Sequence, residues 1–122
     1  MVNKILWNLA ISAKEDKEDL KGYRVWDVTS INDGRNEPSS IAILLLDILR
    51  DVVAHKEIIV IQCQAGISRS NALATGILVL AHNLDFDDAL RMVKALNPRA
   101  NPNLDILNCV REAVKMIQES WV

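Results

Sequence analysis

The chain has 122 residues, half of them hydrophobic and a quarter charged, with a formal net charge of -2. Length and composition suit one soluble globular domain with a single core, spanning 1–122. The small negative charge argues against a large nucleic-acid footprint, and the apolar runs, such as Ile41 to Leu46, are too short to cross a bilayer.

In chain order, Lys4 to Ala10 reads as a strand, with Ile5, Leu6, Trp7 and Leu9 as its apolar residues. Ser12 to Lys21 is charged and reads as a loop or short helix. Tyr23 to Val28 alternates in part and reads as a second strand. Thr29 to Pro38 contains Asn32-Asp33-Gly34 and is expected to be a loop. Pro38-Ser39-Ser40 then opens a helix, in which Ile41, Leu44, Leu45, Ile48, Leu49, Val52 and Val53 recur at helical spacing as far as about His55.

Ile58 to Gln62 has the character of a buried strand, and Ser70 to His82 that of a helix. Ala72 to Leu80 is apolar nearly all round, which marks a central, buried helix. Asp85 opens an acidic first turn, followed by Leu90, Val93 and Leu96 as an apolar stripe. Asn97 to Pro102 is a loop with two prolines. Asn103 caps a last helix, whose Leu104, Leu107, Val110, Val114, Ile117 and Trp121 are expected to face inward. This alternation of strands and helices predicts an α/β fold: a small, mostly parallel central sheet flanked by helices. Ligands in such sheets bind at the carboxyl ends of the strands.

Between the buried strand and the buried helix stands Cys63-Gln64-Ala65-Gly66-Ile67-Ser68-Arg69-Ser70. A strand, a tight loop and a helix N-terminus gather backbone N–H groups around one point, which attracts anions and stabilises a thiolate. Gly66 permits the turn that brings those groups inward. Arg69 adds a planar, permanently charged fork that fits two oxygens of a phosphate. The pattern predicts a phosphate cradle, formed by Gln64, Ala65, Gly66, Ile67, Ser68 and Arg69, with a nucleophilic sulfur at its floor. The alternative of a buried structural cysteine and a surface arginine is disfavoured by the joint spacing of Cys63, Gly66, Arg69 and Ser70. Neither cysteine, Cys63 or Cys109, fits a zinc spacing. His55 and His82 lie at helix ends without metal-ligand spacing, so no metal and no cofactor is expected. Met1-Val2-Asn3-Lys4 is followed by no apolar signal core, and a cytoplasmic, thiol-reducing location is expected.

The segment Cys63 to Ser70 resembles the signature loop of the dual-specificity protein phosphatases, within the cysteine-based tyrosine phosphatase superfamily. The similarity runs from about Ile5 to Ile117. It implies a tyrosine-phosphatase-like fold with the phosphate loop between a strand and a helix. It also implies a phosphocysteine formed on Cys63, with Arg69 binding phosphate and the charge that builds in the transition state. Ser70 would donate its hydroxyl to the departing sulfur, besides any helix-capping role. The family carries an acidic loop residue about thirty positions before the cysteine, and Asp33 stands thirty before Cys63. Asp33 is thus the expected general acid and base, although Asn-Asp-Gly is also a plain turn sequence. Asp27 and Glu37 are lesser competitors. By the same resemblance Asn103 would hold the signature loop from behind, and as a plain helix cap it needs no such role. For Ser68, the N–H is expected to matter more than the side chain.

Two departures from the family pattern stand out. Gln62 occupies the position that usually holds histidine before the cysteine, and it cannot carry a positive charge. The chain also begins closer to its first strand than is usual. The expected activity is metal-independent hydrolysis of phosphate monoesters on a phosphorylated protein or peptide, first phosphotyrosine and then phosphoserine and phosphothreonine, by a monomer without nucleic-acid or membrane partners. The loop filler has no basic side chain, which disfavours phosphoinositides, and nothing in the charge pattern favours RNA 5′-triphosphates. Two rivals stand beside this. An arsenate reductase or rhodanese-like sulfurtransferase uses a similar anion loop, with Cys109 as the candidate resolving thiol in the first case. A phosphate-binding module without turnover is the other.

Overall fold

The computed structural model describes residues 3–6, 8–13, 22–54 and 58–121. Trp7, His55 and nearly all of the charged segment after Ala13, over 14–21, lie outside the described residues. Among the described residues the elements run β1 (Asn3–Leu6), β2 (Leu9–Ala13), β3 (Arg24–Asp27), α1 (Pro38–Ala54), β4 (Ile59–Cys63), α2 (Arg69–His82), α3 (Phe86–Leu96) and α4 (Leu104–Ser120). The strands form one mixed sheet in the order β1-β2-β4-β3. β4 pairs in parallel with β2 on one side and β3 on the other, while β1 pairs antiparallel with β2. This is the predicted α/β, mostly parallel architecture.

The central strands are buried on both faces, as parallel strands covered by helices should be. Leu9, Ile11, Ile59, Ile61 and Cys63 belong to the main core with the helices. Ala10 and Val60 alternate to the opposite face and form a separate small cluster with Ile58. Cys63 thus emerges at the carboxyl end of a strand held on both sides, pointing into the layer that contains α2.

The strand expected over Lys4 to Ala10 is two strands. The chain reverses between Leu6 and Leu9, which pair with each other, and the buried Asn8 amide donates to Val52 O at 2.6 Å. An apolar run interrupted by one polar residue does not distinguish a strand from a tight hairpin. Ser12 and Ala13, expected in a loop, extend β2 and pair with Gln62 and Cys63. Pairing with β4 decides their state, and the charged residues after them hide it in the sequence.

Pro38 opens α1 at the position where its missing N–H costs nothing, and Ile41, Leu45, Ile48 and Val52 form its buried stripe. Val53 lies off that stripe and is 77% exposed. α2 is buried over Ser70 to Val79 and packs against the sheet and all three other helices, as its all-round apolarity predicts. Asp85 caps α3 by accepting from Asp87 N at 3.1 Å, and Asn103 caps α4 by accepting from Asp105 N at 2.8 Å. Leu107, Val110, Val114 and Ile117 are buried as expected, whereas Leu104 is 70% and Trp121 57% exposed. Both lie at the ends of α4, beyond the neighbours that cover its middle. Leu96 is also exposed, at the last turn of α3.

Gly76 sets how closely the helices approach. A Cβ there would meet Val110 Cγ1 at 2.8 Å and Leu45 Cδ2 at 3.1 Å. Alanine gains up to about 1 kcal/mol in helix propensity, but forcing a methyl into a filled core costs about 1–3 kcal/mol, and the β-branched Val110 has little rotamer freedom. Gly76→Ala is therefore expected to lower stability by up to about 2 kcal/mol, read as an earlier urea midpoint at unchanged slope.

Candidate active site

The signature loop spans Gln64 to Ser68, between the end of β4 and the start of α2. Its carbonyls are tied down from outside. Asn71 Nδ2 donates to Gly66 O and Ile67 O, each at 2.9 Å, and Asn101 N donates to Ile67 O at 2.9 Å. Asn97 Nδ2 donates to Asn71 Oδ1 at 3.0 Å and reaches Gly66 O at 3.4 Å, and Arg99 reaches Ala65 O at 3.5 Å. In a trans peptide the carbonyl of one residue and the N–H of the next point in opposite directions. Holding the carbonyls of residues 65, 66 and 67 outward therefore turns the N–H groups of Gly66, Ile67 and Ser68 toward the loop centre, which is the geometry of an anion nest.

Gly66 has φ +68° and packs on the end of β2, where an added Cβ would lie 3.2 Å from Ala13 N and 3.3 Å from Ser12 C. Both the left-handed backbone and the close approach call for glycine. Ser68 occupies the N-cap of α2 but makes no side-chain cap bond. The first-turn N–H groups of α2 are thus left uncapped and face the same centre.

Cys63 Sγ is buried and lies 3.2 Å from Ser70 Oγ. Ser70 is inside the first turn of α2 rather than capping it, and against a thiolate its hydroxyl is the donor. Arg69 Nη1 donates to Thr29 O at 3.0 Å and to Ile31 O at 3.2 Å, pinning the loop that carries Asp33. Among the described residues Nη2 and Nε of Arg69 take no partner, which leaves one edge of the guanidinium for two oxygens of an anion. Asp33, Cys63, Gln64, Ala65, Ile67, Ser68, Arg69 and the segment 101–103 line one cavity of about 560 Å³.

Asp33 is thus brought to the cysteine, and its competitors are not. Asp27 accepts from Thr29 N at 3.0 Å and Thr29 Oγ1 at 2.6 Å, holding the start of the loop. Glu37 lines a separate groove with Arg35, Pro38 and Cys109. In that groove the Cys109 thiol donates to Asn36 O at 3.2 Å and accepts from Asn36 N at 3.3 Å. Cys109 does not line the Cys63 cavity, so the candidate resolving thiol is not brought to the nucleophile. Gln62 is buried and donates from Nε2 to Ala13 O at 3.4 Å, bracing the loop on β2 without a charge.

Asn103 does not hold the loop from behind with its side chain, which is committed to capping α4. Its backbone N–H instead donates to Ser68 Oγ at 2.8 Å. The residues behind the loop are Asn71 and Asn97, which sequence reasoning missed. The available signal was a lone asparagine at the head of an otherwise apolar helix and another at a helix end. The Ser68 side chain also does more than expected, donating to Asp33 Oδ1 at 2.5 Å.

The fold recurs in solved structures at low identity. Human DUSP28 superposes with a TM-score of 0.81 at 17% identity, covering 98% of this chain and 97–99% of that one. A leucine rich repeat and phosphatase domain containing protein from Entamoeba histolytica gives 0.81 at 14% identity, covering 98% and 94%. The human tyrosine phosphatase-like serine/threonine/tyrosine-interacting protein gives 0.76 at 16% identity, covering 96% and 97%. No curated protein sequence matches the chain. The family model of the dual specificity phosphatase catalytic domain matches residues 4–116. With that match over nearly all of its length, the chain belongs to the dual specificity phosphatases, a family of protein phosphatases.

Proposed function

We propose that the chain hydrolyses phosphate monoesters on proteins through a phosphocysteine at Cys63, with phosphotyrosine as the leading substrate and phosphoserine and phosphothreonine as further ones. The observation that carries this is the convergence of Cys63, Arg69, Asp33 and the inward loop N–H groups on one cavity. In the first step the Cys63 thiolate attacks phosphorus, the S–P bond forms and the P–O bond to the substrate breaks. Asp33 gives its proton to the departing oxygen. The loop N–H groups and the free edge of Arg69 hold the equatorial oxygens. In the second step Asp33, now a carboxylate, takes a proton from water, the water oxygen bonds to phosphorus and the S–P bond breaks. The sulfur leaves as a thiolate, which the Ser70 hydroxyl stabilises. None of these steps calls on a metal ion or a redox partner, and the reduced thiol they need suits a reducing compartment such as the cytoplasm.

Hydrolysis of p-nitrophenyl phosphate in EDTA, followed by phosphotyrosine and phosphoserine peptides, tests the proposal. Turnover undiminished by EDTA and a preference for phosphotyrosine are expected. A well-folded chain that binds the peptides without turning them over would replace the enzyme with a phosphate-binding module. Turnover restored only by added metal would overturn the phosphocysteine route.

A further inference from the structure

Ser68 joins three segments that the catalytic cycle must keep in register. Its hydroxyl oxygen accepts from Asn103 N at 2.8 Å, and its hydroxyl hydrogen goes to Asp33 Oδ1 at 2.5 Å. The direction of the chain is fixed by chemistry. A backbone N–H can only donate, so one lone pair of Ser68 Oγ is taken, and among the described residues Asp33 is the sole acceptor for its hydrogen. Asp33 Oδ1 is thereby occupied as an acceptor. When Asp33 is protonated, its proton resides on Oδ2, which has no hydrogen-bond partner among the described residues. A turn carboxylate on an exposed loop otherwise has free rotation about its last bond and two equivalent oxygens to protonate.

We propose that Ser68 is a positioning residue for Asp33: it holds Oδ1 so that the acidic proton sits on Oδ2, at the cavity that Asp33 lines with Cys63. Its role rests on Asp33 acting as the general acid. The unused cap of α2 fits this assignment. An N-cap serine ordinarily turns its oxygen to the N–H groups of its own helix, and here the oxygen is spent on the Asp33 loop instead. Asn103 contributes through its main chain, so the start of α4 fixes the hydroxyl from behind while its own side chain caps that helix.

A proton donor matters only as much as the leaving group needs one, so the test compares two esters. Phenyl phosphate releases a phenol about as basic as tyrosine, near ~10, and depends on the acid. The phenolate released by 2,4-dinitrophenyl phosphate departs without a proton. Well-placed general acids contribute about 10²–10⁴-fold, so losing only the placement is expected to cost part of that. Ser68→Ala should lower kcat on phenyl phosphate by about tenfold more than on the dinitrophenyl ester. Asp33→Asn should show the same split, enlarged. Ser68→Thr, which keeps the hydroxyl, should restore the wild-type ratio between the esters, and adding Ser68→Ala to Asp33→Asn should not widen the split further.

Equal loss on both esters in Ser68→Ala would overturn the inference, since a merely structural role weakens every substrate alike. A further selective loss in the double variant would overturn it as well. Cys63→Ser run on the same esters separates the two levels. If it is inactive on both while Ser68→Ala shows no split, the phosphocysteine route stands and only the positioning role fails. Turnover by Cys63→Ser would overturn that route itself.

Discussion

Cys63→Ser is expected to lower turnover at least about a thousandfold, equivalent to roughly 4 kcal/mol of barrier, while phosphate binding survives. The two halves of this expectation have separate causes. Attack on phosphorus needs an ionised nucleophile, and a thiolate is accessible near neutral pH whereas a serine alkoxide is not. The neighbouring Ser70 hydroxyl can donate to or accept from an oxygen placed there, but it is far too weak a base to ionise it. Binding depends instead on the loop N–H groups and Arg69. The loop is held by Asn71, Asn97 and Asn101, none of which bonds to the sulfur. Rapid-quench turnover with p-nitrophenyl phosphate and calorimetric titration with inorganic phosphate measure the two halves. Turnover within tenfold of wild type would remove the nucleophile from Cys63. Loss of phosphate binding in a folded variant would show that the cradle depends on the sulfur after all.

What the sequence carries and what it hides divide along physical lines. The loop from Cys63 to Ser70 was legible because its chemistry is local: the strand, the glycine, the arginine and the helix start follow one another along the chain. α1, α3 and α4 were legible from periodicity and caps, and α2 from its all-round apolarity. Asp33 was legible through the family resemblance, and the structure brings it to the cavity wall. The hairpin between β1 and β2 was not, because Asn8 interrupts the apolar run for one residue and then pays for its burial with a bond to Val52 O, forty-four positions away. Ser12 and Ala13 were missed for the same reason, since their strand state comes from β4.

The supports of the site were hidden in a different way. Asn97 and Ser68 act through contacts across 26 to 35 positions, and no local pattern reports them. Asn71 reaches the loop carbonyls across only four and five positions, but nothing in its neighbours along the chain says that its amide turns back to them. Asn103 shows how a residue can be singled out and its action still misassigned. It does touch the loop, but through its backbone N–H, which any residue but proline would supply. A search of the sequence for side-chain chemistry cannot find a main-chain donor.

Arg69→Lys is the second substitution with a large expected effect, a fall in kcat of about a hundredfold or more, or roughly 2.7 kcal/mol of barrier. Arg69 has two tasks that lysine cannot combine. One nitrogen, Nη1, holds the carbonyls of Thr29 and Ile31, and the edge formed by Nη2 and Nε is left for a bidentate phosphate contact at the cavity that Arg69 lines. A single ammonium keeps the charge but must choose between the two directions. If it turns to phosphate, the loop bearing Asp33 loses its tie, and if it turns to the carbonyls, the transition-state charge loses its planar partner. Ground-state binding is less affected than kcat, because the loop N–H groups still hold the dianion. Steady-state kinetics should therefore show kcat falling much more than the affinity for inorganic phosphate, which is measured as competitive inhibition. A kcat within tenfold of wild type would mean that the positive charge alone suffices and that the fork contributes nothing specific. An equal loss in kcat and phosphate affinity would move Arg69 from transition-state stabilisation to simple binding.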